Sequence, residues 1–324
     1  MNSFGKLFRV QIFGESHGLC TGVSVDGCLP GIALSEDDFE VDLARRRSGS
    51  KGTTPRVEAD VPKIMTGVFN GFTTGAPIVI IFENTNTRSG DYAQFTDIPR
   101  PGHADFVASV KYKGFADYRG GGHFSGRITS GLVVAGVIAK KIIAPTTITA
   151  HIHEIGGSLQ WEELIDQCIA KGDSVGGILG CAVENIPAGW GDPFFDSVES
   201  AIAHTVFAIP GVKGIEFGAG FAAARMRGSE HNDPFITTDG KTVTNHAGGI
   251  NGGIANGNPI VFRVAVKPTS SIAQSQQTVN IRTCKMTTLE IQGRHDACIA
   301  LRISPVLEAA TAIALADLKL RNYK

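Results

Sequence analysis

Apolar positions in this chain fall into short alternating runs and a few longer helical stretches, a pattern that predicts an α/β protein. Residues 7–13 and 22–28 alternate like strands on either side of a glycine-flanked turn. Ser35 followed by Glu36, Asp37 and Asp38 reads as a helix start, and the helix should end at Arg45-Arg46-Arg47, where cations suit the negative end of the dipole. Strands are expected at 64–69 and 77–83, joined through the turn residues Asn70-Gly71. A buried helix at 129–143 and a strand at 147–153 follow. Next come amphipathic helices at 159–171 and 194–207, with a strand at 178–183 between them. A strand at 260–267 and a closing helix at 304–320 complete the pattern. Two stretches, 84–126 and 225–258, are polar and without periodicity, and loops of that length usually carry function. Strands and helices alternate with no linker or charge run, so one domain covering 1–324 is expected.

Composition narrows the class. The 30 basic and 31 acidic side chains give a net charge of −1, which argues against a non-specific nucleic-acid binder. The six cysteines include no Cys-x-x-Cys pair, as reduced thiols in a cytoplasmic protein would. The first ten residues lack a signal-peptide core, and no apolar stretch is long enough to span a bilayer, so no membrane partner is expected.

Three segments set a histidine beside glycine or arginine: Gly14-Glu15-Ser16-His17-Gly18, Arg100-Pro101-Gly102-His103-Ala104-Asp105 and Gly293-Arg294-His295-Asp296. Histidine suits proton transfer near neutrality, and glycine lets a ligand approach closely. The first segment also fits the Gly-x-Ser-x-Gly nucleophile elbow, but that motif needs a helix directly after the serine, where this chain continues as strand. Residues 45–56 hold Arg45, Arg46, Arg47, Lys51 and Arg56 with no acid, either a solvated face or an anion site. Arg100, Arg119, Arg127 and Arg294, each in a glycine-rich loop or beside a motif histidine, favour an anionic small-molecule substrate. Gly120-Gly121-Gly122-His123-Phe124-Ser125-Gly126 lacks the strand and the acid of a dinucleotide fingerprint, yet suits an anion cradle before the next helix. Lys267-Pro268-Thr269-Ser270-Ser271 offers a cation and three hydroxyls to a phosphate or a heteroaromatic ring. His151 and His153 share one strand face without a third ligand, so no metal is expected; His204 reads as structural.

Taken together, these segments closely resemble the chorismate synthase family. So do Asp42-Leu43-Ala44-Arg45-Arg46-Arg47, Asp117-Tyr118-Arg119-Gly120-Gly121-Gly122, Asn245-His246-Ala247-Gly248-Gly249 and Gly252-Gly253-Ile254-Ala255-Asn256-Gly257. The resemblance implies a β-α-β sandwich, two sheets packed around central helices, assembled as a homotetramer. It also implies a lyase that converts 5-enolpyruvylshikimate 3-phosphate to chorismate and phosphate by 1,4-elimination, with reduced FMN and no net redox change. A substrate with two carboxylates and a phosphate would need the arginines, since burying such charge unpaired is prohibitive.

Carried over by motif, His17 matches the acid for the departing phosphate, His103 the acid toward the flavin, and Asp296 the acid that assists proton removal. Arg45, Arg46, Arg100, Arg127 and Arg294 match substrate-anion positions, and Arg46 with Lys51 match an NADP-phosphate assignment. Flavin positions are His123, Phe124, Ser125, His246, Ala247, Gly253, Lys267, Pro268, Thr269, Ser270, Ser271 and Arg294. Two departures stand out. His123 and Phe124 replace an arginine and a serine common in the family, and Lys51 stands where an arginine is usual, keeping charge but losing the planar fork. The compact length implies the kind that receives reduced FMN from a flavin reductase or another source. The alternatives are a flavin-binding protein that has lost the lyase step, and a serine hydrolase using Ser16.

Overall fold

The computed structural model describes residues 2–54, 60–85, 90–291 and 295–322. Its helices are α1 (Glu40–Arg46), α2 (Asp105–Lys111), α3 (Thr129–Ile143), α4 (Glu162–Ala170), α5 (Val198–Val206), α6 (Gly228–His231) and α7 (Ser304–Asn322). One antiparallel sheet orders its strands Ser3–Phe4, Arg9–Gly14, Cys20–Asp26, Ile78–Glu83 and Lys63–Thr66. A second, also antiparallel, orders them Val212–Phe217, Ile260–Val266, Gly177–Glu184 and Thr147–Ile155.

Between the sheets lie α3 and α7, packed on each other. Both are apolar nearly all round, which is what a helix covered on every side requires. Their axes come close because residue 136 is glycine: a Cβ there would lie 2.3 Å from that of Ala309. On one side α3 packs on the first sheet; on the other, α7 packs on Thr147–Ile155 of the second. The apolar core runs continuously from Phe8 to Leu318 through both sheets and the central helices. The β-α-β sandwich expected from the resemblance is therefore the observed architecture.

Most expected elements recur within a few residues, and α3 matches its expected bounds. The run at 64–69 breaks at Gly67, so that Asn70-Gly71 turns a small hairpin of Val68–Phe69 with Phe72–Thr73, while Lys63–Thr66 pairs with Ile78–Glu83. The two expected amphipathic helices are shorter, and α5 is capped by Ser197, whose hydroxyl accepts the Ser200 amide. Neither the strand Val212–Phe217 nor the hairpin Gln276–Asn280 with Lys285–Leu289 was expected; both have weak apolar alternation. Within the polar stretch 84–126 the chain forms α2.

Candidate active site

Loops at one end of the sandwich converge on a cavity of about 910 Å³. The first wall is the turn between Arg9–Gly14 and Cys20–Asp26, which carries Ser16 and His17. This is a β-hairpin turn, so Ser16 is not on a nucleophile elbow. The glycine-rich turn is stitched to it: Ser16 N–H donates to the Gly122 carbonyl at 3.1 Å, and His123 Nδ1 to the Gly14 carbonyl at 2.8 Å. Gly120 has φ +61°, and a Cβ there would sit 2.4 Å from His17 Cδ2. A Cβ on the adjacent Gly121 would lie 3.8 Å from His103 Nε2. Two glycines thus separate two imidazoles whose motifs lie far apart in the chain. His17 is 5% exposed and stands edge-on to Tyr92, with ring centroids 5.4 Å apart.

A second wall joins the 100–105 loop to residues 267–271. Lys267 Nζ and Ser270 Oγ both donate to the Gly102 carbonyl, at 2.6 and 2.7 Å, and Lys267 Nζ also reaches Ser270 Oγ at 2.7 Å. Burial, with Lys213 nearby, holds the Lys267 ammonium below the ordinary lysine range. Arg100 is buried against the Phe95 ring, its guanidinium carbon 4.4 Å from the centroid, and Nη1 reaches Ser271 Oγ at 3.2 Å.

The third wall holds a buried charge cluster. Arg46 Nη1 and Arg127 Nη1 share the carboxylate of Asp60, at 2.8 and 2.5 Å. Arg46 also donates from Nε to Thr129 Oγ1 at 3.0 Å, and Arg127 Nε donates to Asn84 Oδ1 at 2.6 Å. Asp296 closes the site: its Oδ1 accepts the Thr54 amide at 2.8 Å, and Arg302 Nη1 stands 3.3 Å from Oδ2. Arg302 Nε in turn donates to the Arg46 carbonyl at 2.9 Å.

Of the residues singled out from sequence, the structure brings together at this cavity His103, Asp296, Arg46, Arg100, Arg127, His123, Phe124, Ser125 and all five of 267–271. His17 stands behind Gly120. Arg294 lies outside the described residues, as do Gly293 and Arg56. The rest lie away from this lining in the single chain. Arg45 does not line the cavity: it turns to α7, where Nη1 and Nη2 hold Glu308 at 2.8 and 2.7 Å. Lys51 is exposed, pairs with Asp166 on α4 at 2.7 Å and does not line the cavity with Arg46. His246 and Ala247 form a turn whose amides donate to Asp233, at 2.7 and 2.9 Å, away from the cavity lining. Gly253 packs elsewhere, its carbonyl accepting the Val198 amide at 2.9 Å. Sequence reading passed over Asp60, Tyr92, Thr54 and Arg302. Only Asp60 carried a signal, one of two acids, with Glu58, that follow the basic run.

The lining is chemically divided. Arginine, lysine, histidine and hydroxyl groups face one part, while Leu132, Ile299, Ile303 and Val306 supply an apolar part. Such a cavity suits a polyanion beside a flat, partly apolar ring. Among the described residues no group of three His, Cys, Asp or Glu side chains is placed to hold a metal, and no helix is long and apolar enough to cross a membrane.

Comparison with known proteins identifies the family. The sequence model of the family described as chorismate synthase matches residues 8–320. A chorismate synthase of Chitinophaga pinensis is 62% identical over 325 residues, covering 100% of this chain and 98% of that protein. One from Thermococcus kodakarensis is 43% identical, covering 98% of this chain and 97% of its own. A crystal structure of chorismate synthase superposes with a TM-score of 0.75 at 25% identity, over 98% of this chain and 93% of that one. Matched along its length in sequence and in fold, the chain belongs to the chorismate synthase family, enzymes of the lyase class that catalyse the last step of the shikimate pathway.

Proposed function

We propose that this chain converts 5-enolpyruvylshikimate 3-phosphate to chorismate and phosphate by 1,4-elimination, with reduced FMN as cofactor. The observation that carries the reading is the pair of imidazoles, His17 and His103, set on either side of Gly120 and Gly121 beside an arginine-lined cavity. Arg46, Arg100 and Arg127 are the substrate-anion candidates within it, and Arg294 is carried over from the motif alone. Their charges offset what would otherwise be a prohibitive desolvation of a phosphate and two carboxylates.

The donor set also fits a phosphorylated isoalloxazine. Lys267, Thr269, Ser270, Ser271, His123 and Ser125 would hold it, with Leu132 and Ile303 offering apolar surface. Reduced FMN, when bound, supplies electron density to the substrate ring and takes part in removing the ring hydrogen, without net redox change. His17 holds a proton for the departing phosphate. His103, in its doubly protonated form, holds one at Nε2 in the cavity lining. Asp296, oriented by the Thr54 amide and Arg302, keeps a carboxylate ready to assist proton removal. In the homotetramer that the resemblance implies, His246, Ala247 and Gly253 would meet a flavin only from a neighbouring copy. The same reading takes the chain as one domain over 1–324, a cytoplasmic enzyme of aromatic amino acid biosynthesis that draws reduced FMN from a separate reductase.

An anaerobic assay with dithionite-reduced FMN, read by phosphate release, tests it. Turnover is expected only with reduced flavin, and His103→Ala and Asp296→Ala are each expected to lower kcat by about 10²–10⁴-fold. Undiminished turnover in both variants would remove the residue assignments. Flavin binding without phosphate release would favour a protein that has lost the lyase step.

A further inference from the structure

His103 does not stand alone in its loop. Its Nδ1 lies 2.7 Å from Asp105 Oδ1, two residues on at the start of α2. The same carboxylate is gripped by Arg100 at three further points. Oδ2 accepts the Arg100 backbone amide at 3.0 Å and Nε–H at 2.8 Å, while Oδ1 accepts Nη2–H at 2.8 Å. Burial pushes the Asp105 carboxyl up, but hydrogen bonds from Arg100 and His103 outweigh it, and the group ends well below the usual carboxylate range.

An ionised carboxylate can only accept. At 2.7 Å the hydrogen between Asp105 and His103 must therefore sit on Nδ1. Arg100 Nη2 also comes within 3.0 Å of Nδ1, but a guanidinium only donates, and a protonated ring nitrogen has no lone pair to offer it. Its hydrogen goes to Asp105. The neutral ring then keeps its lone pair on Nε2, on the edge that faces Gly121, within the cavity lining.

We propose that Asp105 is a positioning residue that fixes His103 in the Nδ1–H tautomer, leaving Nε2 as the one ring nitrogen that exchanges a proton with the cavity. Arg100 is the brace that holds the carboxylate in register. The tie of Gly102 to Lys267 and Ser270 fixes the backbone just before the imidazole. The proposal rests on the reading of His103 as a proton donor only for its effect on turnover; the tautomer stands by itself.

Asp105→Asn discriminates sharply. The position of Oδ2 receives two donors from Arg100, so the amide oxygen of an asparagine belongs there. Its NH₂ then faces His103, and Nδ1 must become an acceptor. The neutral ring should flip to Nε2–H, and the doubly protonated ring becomes unfavourable. The flavin-free protein, labelled with ¹⁵N-histidine, would be examined by long-range ¹H–¹⁵N correlation at alkaline pH, with His103→Gln used for assignment. Wild type is expected to give the Nδ1–H pattern for His103, and Asp105→Asn the Nε2–H pattern. An Nε2–H pattern in wild type would overturn the proposal without recourse to any variant, as would an unchanged tautomer in folded Asp105→Asn. In the reduced-FMN assay, Asp105→Asn is expected to lower kcat by about 10²–10⁴-fold with KM held within about threefold, the pattern of a wrong tautomer in intact geometry. A KM effect with unchanged kcat would also count against it. If His103→Ala retained turnover while the tautomers behaved as expected, the reading of His103 as proton donor would fail and the positioning by Asp105 would stand.

Discussion

Arg45 and Arg46 are chain neighbours with the same side chain, yet they belong to different parts of the molecule. Successive helix residues point about 100° apart, and α1 uses that rotation to divide them. Arg45 turns to α7, where it makes a two-point contact with Glu308, a residue also bound by Lys140 Nζ at 3.0 Å and by the Ala150 amide at 3.0 Å. Arg46 turns to the cavity, where Asp60, Thr129 and the carbonyls of Gly126 and Arg127 take its donors. The first cluster ties the central helices to the second sheet. The second holds the Arg46 and Arg127 guanidinium groups in the wall of the cavity. A run of arginines in sequence thus divides between the packed core of the sandwich and the cavity wall.

The largest expected effect would break this contrast if it failed. Arg46→Ala should lower kcat/KM by about 10²-fold or more, as loss of a buried, hydrogen-bonded charge costs about 2–5 kcal/mol. Arg45→Ala should leave turnover within about twofold. Parallel steady-state assays of the two variants decide it; equal losses would mean that Arg45 also reaches the substrate.

Glu308→Gln sharpens the other side. It removes the charge between Arg45 and Lys140 and should cost about 2 kcal/mol by denaturant unfolding, less than a fully buried pair because both cations keep some contact with water. Against the cost of burial, Arg45, Lys140 and the Ala150 amide hold the Glu308 carboxyl below its ordinary value. A depressed folded-state pKa contributes stability that is present above the unfolded value, about 4.3, and is lost as pH falls through the folded one. The stability gap between wild type and variant should therefore be full at pH 7 and shrink progressively below about pH 4. A gap independent of pH would show that packing, not charge, carries the effect.

Lys51→Ala is the smallest. Its partner Asp166 is itself half exposed, so stability should change by under about 0.5 kcal/mol and turnover hardly at all. A large rise in KM for substrate would return Lys51 to the site.

Much of the architecture was legible because local pattern and burial agree. The helix at 129–143 is apolar nearly all round up to Lys140 and Lys141, and α3 is buried over almost all of that length. By contrast, the strand Val212–Phe217 was invisible: no residue in it beyond Val212 is fully buried, and its place depends on pairing with Ile260–Val266, nearly fifty residues on. At the site, the three histidine-bearing motifs could be found from residue type, since glycine next to histidine has no packing purpose. Their grouping could not.

What the sequence determined by itself was the inventory: which imidazoles, arginines and hydroxyls exist, that glycine lets ligands near them, and the family whose motifs they match. Tertiary structure decided the allocation. It sent Arg45 to Glu308 and Arg46 to Asp60, set His17 and His103 on either side of two glycines, and gave Asp105 to the Nδ1 of His103. The physical reason is that a charged side chain spends its hydrogen bonds on whatever partner the fold brings within about 3 Å. Glu308 lies 263 residues from Arg45, beyond the reach of any local pattern, and even Asp105, two residues from His103, becomes its partner only because the loop folds the carboxylate back onto the ring.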